Sequence, residues 1–136
     1  MMSSSFLYNL KIYYEDTDAG GVVYYANYLK FLERARSEAI YKLGYTNTNL
    51  KKEYGIIILV KSCNIEYKKP AIFEDILSII STIEEITKTS FIMKQEIKRG
   101  EELIASSKVH LVTINSKGKP TKIPDNLKNL MDDYVN

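Results

Sequence analysis

The sequence contains very little cysteine and histidine, and this scarcity limits the kinds of site that it can build. It has one cysteine and one histidine among 136 residues. A single cysteine excludes an internal disulfide and a zinc site made of several cysteines. Cys63 lies in an apolar stretch, where a free thiol usually acts as a small hydrophobic side chain. His110 lies in a strand-like stretch, where a hydrogen-bonded structural role is commoner than catalysis. We therefore expect no metal site and no cofactor.

Long apolar runs and an excess of one charge are also lacking. No stretch approaches the roughly 18 apolar residues of a membrane span, and residues 1–10 do not resemble a signal peptide. The net charge of +2 favours neither nucleic acid nor an anionic membrane as the main partner. We expect one cytoplasmic domain over residues 1–136, with residues 1–5 and 116–136 peripheral.

The hydrophobic pattern predicts one long helix and five strands. Apolar residues recur at spacings of three and four from Tyr25 to Leu43, and Gly44 follows at the position of a left-handed cap. A helical turn at 50–54 and a short helix at 127–134 are also predicted. The strand segments alternate or are rich in β-branched residues, and they cover 6–14, 56–67, 76–86, 90–98 and 103–115.

The order of these segments predicts an α+β fold. Short turns join the last four strands, including a tight hairpin at Arg99-Gly100, so the sheet should be antiparallel. The run IIILV that follows Gly55 is continuously apolar, which predicts a buried strand. One long helix can then cover one face of the sheet.

The chemistry-bearing part of the chain is YYEDTDAGGVVYYANYLKFLERAR, residues 13–36. Three carboxyl groups, of Glu15, Asp16 and Asp18, precede the pair Gly20-Gly21 and the start of the helix. A helix N-terminus offers unpaired backbone N–H groups and a partial positive charge, which stabilise negative charge on a carbonyl oxygen. A carboxylate beside it can act as a base or as a nucleophile. The pattern indicates acyl transfer or hydrolysis, whereas the simpler interpretation is a solvated acidic loop.

This segment resembles the active-site segment of the 4-hydroxybenzoyl-CoA thioesterase-like hotdog family, and within it the Tol–Pal cluster-associated acyl-CoA thioesterases. The shared pattern is Asp-x-Asp-x-x-Gly, apolar residues, an aromatic pair and Asn-Tyr. It occurs here as Asp16, Asp18, Gly21, Val22, Val23, Tyr24, Tyr25, Asn27 and Tyr28. The likeness is dense over residues 13–36 and looser as far as Asn115.

The resemblance implies a hotdog fold, in which an antiparallel five-stranded sheet wraps a long central helix, and hydrolysis of an acyl-CoA thioester. It implies that Asp18 is the catalytic carboxylate and that the backbone N–H of Tyr25 polarises the thioester carbonyl. Residues implied to contact the substrate are Gly21, Val23, Tyr24 and Lys88. Lys88 aligns with a basic stretch that binds the coenzyme A nucleotide in one member of the group. Hotdog relatives assemble as dimers or pairs of dimers, so we expect a homo-oligomer, specifically a tetramer.

One position departs from the family pattern, and several alternatives stay open. Tol–Pal cluster relatives usually carry histidine where this chain has Tyr25, which affects the expected substrate more than the reaction class. Glu33, on the helix, is the second candidate for the catalytic acid. The donor could be acyl carrier protein rather than coenzyme A. The alternative functions are a non-hydrolytic acyl-CoA or acyl-carrier-protein binding module, an interaction subunit, and a hotdog dehydratase, which would need a catalytic histidine.

Overall fold

A five-stranded antiparallel sheet and one long helix form the body of the protein. The computed structural model describes residues 4–136. The strands run in the order β1-β3-β4-β5-β2 across the sheet, and all neighbouring strands are antiparallel. Their bounds are β1 Phe6–Lys11, β2 Ile57–Tyr67, β3 Ile76–Ile86, β4 Ser90–Arg99 and β5 Glu102–Ile114. The helices are α1 Asn27–Lys42, α2 Asn47–Tyr54 and α3 Asp125–Asp132. The α+β fold class predicted from the sequence is confirmed.

Helix α1 lies against the sheet through most of the apolar face that the periodicity predicts, but Tyr25 and Leu29 are 62% and 47% exposed. Its buried residues are Tyr28, Phe31, Leu32, Ala35, Ala39 and Ile40. The helix ends at Lys42, and Gly44 follows it with a φ of 91°, in the left-handed region that glycine adopts without strain. α2 is longer than the single turn predicted, because the Thr46 side chain accepts a hydrogen bond from the Asn49 N–H at 3.0 Å and caps its start.

The buried apolar residues form two clusters along α1. We call the first the proximal core, and it consists of Ile12, Val23, Tyr28, Phe31, Leu32, Ala35, Ala71, Leu77, Ile79, Ile97, Ile104 and Ala105. The second, the distal core, consists of Phe6, Ala39, Ile40, Leu50, Ile56, Ile83, Phe91, Met93, Val109, Leu111, Ile123, Leu127 and Met131. The proximal core underlies the start of α1, and the distal core underlies its end and α3.

Polar side chains from α1 and two strands make contact within this interior. Gln95 is fully buried, and its amide nitrogen donates to the Leu32 carbonyl and to the Ser81 hydroxyl, both at 3.1 Å. Its carbonyl oxygen accepts a hydrogen bond from Arg36 at 3.0 Å. Burial lowers the pKa of the Arg36 guanidinium. Because buried polar groups are costly when unpaired, these bonds fix α1 against β4 and β3.

The interpretation of residues 116–136 as peripheral is corrected by α3 and the residues that flank it. Ile123, Leu127 and Met131 are each no more than 1% exposed, and they belong to the distal core. Tyr134 stacks on Phe6 with ring centroids 3.8 Å apart. The expectation fails because composition marks a loop but does not show which side chains reach back to the sheet. Of residues 1–5, Ser4 and Ser5 are exposed, and residues 1–3 lie outside the described part of the chain.

The prediction of a buried strand after Gly55 is wrong for the single chain. Within residues 4–136, β2 pairs only with β5 and forms one edge of the sheet. Ile57, Leu59 and Val60 are 40%, 48% and 45% exposed. A continuous apolar run shows that a strand avoids water, but it does not show whether the same chain supplies the cover. The expected strand therefore forms, with its outer edge uncovered.

Candidate active site

The acidic loop of residues 16–24 folds as a small hairpin that carries Asp18. Thr17 and Val23 form an antiparallel bridge, and the Asp18 N–H donates to the Val22 carbonyl at 2.9 Å. The Gly21 N–H donates to the Asp18 carbonyl at 3.0 Å, which closes the turn. Gly21 has a φ of 81°, a conformation that strains residues with a Cβ. The turn therefore requires a glycine at position 21.

One oxygen of the Asp18 carboxylate is fixed, and the other is not. Oδ1 accepts a hydrogen bond from the Gly20 N–H at 2.8 Å, whereas Oδ2 accepts none from residues 4–136. A Cβ added at Gly20 would lie 3.3 Å from Oδ1, so a side chain there would press on the carboxylate. The Asp18 side chain is exposed. It can therefore reach a bound molecule while its backbone is held in the hairpin.

The start of α1 is tied directly to the hairpin. The Asp16 carbonyl accepts hydrogen bonds from the Tyr24 N–H at 3.1 Å and from Asn27 Nδ2 at 2.9 Å. Asn27 is thus the first residue of α1, and its side chain binds the hairpin instead of capping the helix. The amides of Tyr25 and Ala26 donate to no acceptor within residues 4–136. Free amides at this end can stabilise a negatively charged oxygen.

A surface cleft of about 260 Å³ opens beside these amides. Its lining consists of Val23, Tyr25, Tyr28, Tyr67, Lys68, Lys69 and Pro70. The Tyr67 ring lies edge-on to the Tyr25 and Tyr28 rings, with centroids 6.3 and 5.3 Å apart, and its hydroxyl donates to the Tyr25 carbonyl at 3.3 Å. Partial burial raises the pKa of the Tyr67 phenol, so it is a neutral donor at neutral pH.

The structure brings most of the predicted site residues together around the hairpin. Val23 is 5% exposed and lines the cleft, and Gly21 forms the turn below Asp18. Tyr24 is half-exposed beside Tyr25, with ring centroids 4.9 Å apart, but it does not line the cleft.

Glu33 lies on α1, away from the hairpin. It accepts a hydrogen bond from the Ser37 hydroxyl at 3.0 Å. It lines a different cavity of about 110 Å³, together with Arg36, Ile40 and residues of β2, β4 and β5.

Lys88 lies far from Asp18 within one chain. β3 contains 11 residues, so at about 3.3 Å per residue it is about 36 Å long. The hairpin lies near the start of β3, because Val22 forms a bridge with Ile72, whereas Lys88 follows the end of β3. The Lys88 carbonyl accepts a hydrogen bond from the Ile123 N–H at 2.8 Å, which brings a lysine-rich loop to the same end of the sheet. That loop contains Lys117, Lys119 and Lys122.

Two features of the site were missed by sequence reasoning. The sequence predicts Tyr67 only as the last residue of a strand. It predicts no structure for the segment 70–75, between two predicted strands, yet this segment hydrogen-bonds the hairpin. The looser part of the family resemblance, which includes Pro70-Ala71 and Asp75, was the available signal for this contact.

The described residues also bear on other kinds of site, such as a metal site or a site built on Cys63 or His110. Within residues 4–136, no group of three or more His, Cys, Asp and Glu side chains could hold a metal ion. Cys63 Sγ lies 3.6 Å from the Ser107 hydroxyl, and His110 is a half-buried residue of β5. No helix in this part of the chain is long and apolar enough to cross a membrane.

Comparison with known proteins places this arrangement in a family. The family model described as the thioesterase-like superfamily matches residues 13–130, which include the hairpin, the cleft and the whole sheet from β2 onward. The chain belongs to the thioesterase-like superfamily. The family resemblance predicted from residues 13–36 is therefore confirmed, as is the hotdog fold.

Members of this superfamily are similar to the chain over most of its length. The acyl-CoA thioesterase YbgC of Haemophilus influenzae is 33% identical over 129 residues, which cover 94% of this chain and 95% of the relative. The acyl-CoA thioester hydrolase YbgC of Escherichia coli O6:H1 is 35% identical, with 93% and 96% covered. The crystal structure of a probable thioesterase from Bartonella henselae has a TM-score of 0.85 at 35% identity, with 89% and 100% covered.

Proposed function

We propose that the protein is an acyl-CoA thioesterase, which hydrolyses an acyl thioester to the free acid and coenzyme A. The observation that carries this proposal is the hairpin itself. It carries a carboxylate with one uncommitted oxygen, and it is hydrogen-bonded through the Asp16 carbonyl to a helix start with two uncommitted amides. The names of the superfamily relatives, which are acyl-CoA thioesterases, support the same reaction.

In the proposed reaction, Asp18 acts on the carbonyl carbon while the Tyr25 amide stabilises the oxygen. As a general base, Asp18 removes a proton from water, which adds to the carbon. As a nucleophile, its carboxylate attacks the carbon and forms an anhydride, which water then hydrolyses. In either route the carbon–sulfur bond breaks, and the thiolate takes up a proton and leaves as coenzyme A. The described geometry is compatible with both routes.

The proposed role of Tyr25 does not depend on the histidine found in Tol–Pal cluster relatives. A backbone N–H is supplied by any residue except proline, so the oxyanion contact survives the change of side chain. The Tyr25 side chain is 62% exposed and lines the cleft. The substitution should therefore affect which acyl group fits, and Tyr24 and Val23 would contact the substrate beside it.

The proposed enzyme is a homo-oligomer that assembles through β2. Long exposed apolar edge strands are templates for pairing with another chain, and β2 has 11 residues with an apolar first half. A second copy can pair its β2 in antiparallel fashion about a two-fold axis and so continue the sheet. Two such dimers would make the tetramer that the resemblance implies.

Such a dimer would bring Lys88 to a complete site. Antiparallel pairing sets the start of one β2 beside the end of the other. Tyr67, at the end of β2, contacts Tyr25, whereas Ile57, at the start, pairs with Ile114 near the Lys88 end of the sheet. Lys88 of one copy would then lie at the same end of the joined sheet as the hairpin of the other copy. A lysine at this place is suited to bind a coenzyme A phosphate. A cytoplasmic location and the use of acyl carrier protein as an alternative donor stay predictions.

The test is thiol release from a panel of short aliphatic, long aliphatic and aromatic acyl-CoAs. Wild type is compared with Asp18→Asn, which keeps the shape of the side chain and removes its charge. We expect turnover to fall by about 10²–10⁴-fold, as when a general acid–base group is lost, with the thermal midpoint unchanged. If Asp18→Asn keeps the turnover of wild type, Asp18 is not the catalytic carboxylate, and Glu33→Gln would be measured next.

The panel also decides between hydrolysis and binding. Wild type that binds acyl-CoA or acyl carrier protein but releases no thiol from either would support the non-hydrolytic binding module. In that case Asp18→Asn would change the dissociation constant little, because no bond to sulfur is broken.

A further inference from the structure

The segment 70–75, which we call the strap, lies antiparallel to the hairpin that carries Asp18 and is bridged to it. The Val23 N–H donates to the Ala71 carbonyl at 2.8 Å, and Val22 and Ile72 form an antiparallel bridge. Val22 also accepts the hydrogen bond from the Asp18 N–H at 2.9 Å. Displacement of the strap would therefore move Val22, and with it the backbone of Asp18.

The strap is closed by a strained turn. The Asp75 N–H donates to the Ile72 carbonyl at 3.1 Å, and Asp75 Oδ2 accepts the Ile72 N–H at 2.9 Å. Glu74, within this turn, has a φ of 72°, the only positive value at a residue other than glycine in the part of the chain that the structure describes. Non-glycine residues adopt this conformation only when the surrounding structure holds them there. The strap is therefore held from outside itself, first by main-chain hydrogen bonds of Ile12, whose N–H donates to the Asp75 carbonyl at 2.8 Å and whose carbonyl accepts the Glu74 N–H at 3.0 Å.

Arg99, at the end of β4, supplies contacts to both ends of the strap. Its Nη1 donates to Asp75 Oδ2 at 2.5 Å and to the Pro70 carbonyl at 3.2 Å. Its Nε and Nη2 donate to Glu102 Oε1 at 3.1 and 2.7 Å, and Glu102 Oε2 pairs with Lys69 at 2.6 Å. A guanidinium has the fixed fork of donors that this arrangement uses, and lysine does not.

We infer that Arg99 is a positioning residue for the thioester-cleaving site, because it clamps the strap that sets the backbone of Asp18 relative to the start of α1. The inference rests on the proposed function. Tyr28 supports the same strap from α1, since its hydroxyl accepts the Ala71 N–H at 3.0 Å. Arg99 therefore joins the sheet to the strap, and through the strap to the hairpin, although its own side chain does not line the cleft.

A purely structural role would give a different result from a positioning role. Partly exposed ion pairs stabilise folded proteins little, so loss of Arg99 should leave the thermal midpoint close to that of wild type. A misplacement of catalytic groups by about 1 Å can lower the rate by about 10²-fold. We therefore expect Arg99→Met to lower kcat by about 10- to 100-fold while KM changes little.

The experiment compares Arg99→Met with Arg99→Lys and with a matched control, Lys108→Met. Lys108 pairs with Glu84 at 3.0 Å on the sheet surface, so this variant also removes a cation that forms an ion pair. The kcat and KM are measured on an acyl-CoA that wild type cleaves. We expect Arg99→Lys to recover part of kcat and Lys108→Met to match wild type. A wild-type kcat in Arg99→Met would overturn the inference, and so would a loss of kcat that follows a lowered thermal midpoint.

A second measurement separates this inference from the proposed function. Amide hydrogen exchange at Asp18 and Val23 should accelerate in Arg99→Met and not in Lys108→Met, whether or not the protein cleaves thioesters. If Arg99→Met does not fold, Asp75→Asn, which weakens the same ion pair, carries both measurements. Absence of thiol release in wild type counts against the proposed function only, and unchanged exchange at both amides counts against the clamp.

Discussion

The two ends of the sheet are built very differently. At the proximal end, backbone hydrogen bonds join the hairpin, the strap and the start of α1, and the proximal core lies directly below. At the distal end, main-chain hydrogen bonds of Ile123 and Thr121 join the lysine-rich loop of residues 115–124 to Lys88 and to β5. Their lysine side chains are exposed, and one of them, Lys122, pairs with Asp125 at 3.0 Å.

This difference indicates a division of roles. Bond breaking depends on groups held within fractions of an ångström, and the hydrogen bonds at the proximal end suit that requirement. Attraction of phosphates acts over several ångströms and tolerates mobile side chains, which suits the distal end. Because one chain separates the two ends by the length of β3, each chain holds only half of the proposed site. The four predictions that follow test this division, from the largest expected effect to the smallest.

The strongest test is to block the β2 edge. Leu59→Lys sets a charge in the apolar half of β2, where two copies would pair, so we expect a monomer in sedimentation and thiol release near background. The matched control is Leu7→Lys on β1, the opposite edge strand, where Leu7 is 59% exposed. A monomeric Leu59→Lys with full activity would show that one chain holds a complete site.

The distal core can be weakened without touching the hairpin. Met131→Ala removes a side chain that is 1% exposed, so the free energy of unfolding should fall by about 2–5 kcal/mol. Its neighbour Leu130, 41% exposed on the same helix, gives the control Leu130→Ala, for which little change is expected. Urea unfolding measures both. Equal stabilities of the two variants would contradict the assignment of α3 to the core.

Lys88 should affect binding and not the chemical step. Lys88→Ala removes a charge proposed to meet a coenzyme A phosphate, so KM should rise by about threefold to tenfold with kcat unchanged, and the effect should shrink in high salt. Lys94→Ala, on an exposed residue of β4, is the control. A fall in kcat with constant KM would place Lys88 in the chemical step and contradict the division of roles between the two ends of the sheet.

The smallest effect concerns alkaline pH at the proximal end. Burial raises the pKa of Tyr28 above its ordinary value of 10.0. The folded state therefore keeps this proton when the unfolded state has lost it, so the stability contribution is complete below about pH 10 and falls above it. Thermal midpoints measured from pH 8 to 11 should fall less steeply in Tyr28→Phe than in wild type. Tyr41→Phe, at an exposed residue of α1, should follow the wild-type curve.

Much of the fold could be predicted because the signals are local. The helical spacing, Gly44 and the Arg99-Gly100 hairpin depend on residues that are close in sequence, and the structure has each of them near the predicted position. β3 was predicted with its observed bounds, Ile76–Ile86, since it alternates and ends at a polar turn. The motif of residues 13–36 also identified the family, because its residue types are specific in order and spacing.

What sequence reasoning could not reach depends on contacts between distant residues. The clamp of Arg99 on the strap joins residues 24 positions apart, and the contact of Arg36 with Gln95 joins residues 59 positions apart. No local pattern reports such pairs, and exposed or half-buried charges look alike in a sequence. The missing cover of β2 and the distance between Asp18 and Lys88 were hidden for the same reason.

The sequence alone determined the elements, their order, the family and the carboxylate–glycine–helix segment, since these follow from periodicity, turn chemistry and a specific motif. Only the tertiary structure decided which side chains close the core, how the strap holds the hairpin, and that Asp18 and Lys88 of one chain lie at opposite ends of the sheet. The physical reason is that burial, edge pairing and ion-pair geometry arise from the packing of the whole chain and not from any one segment.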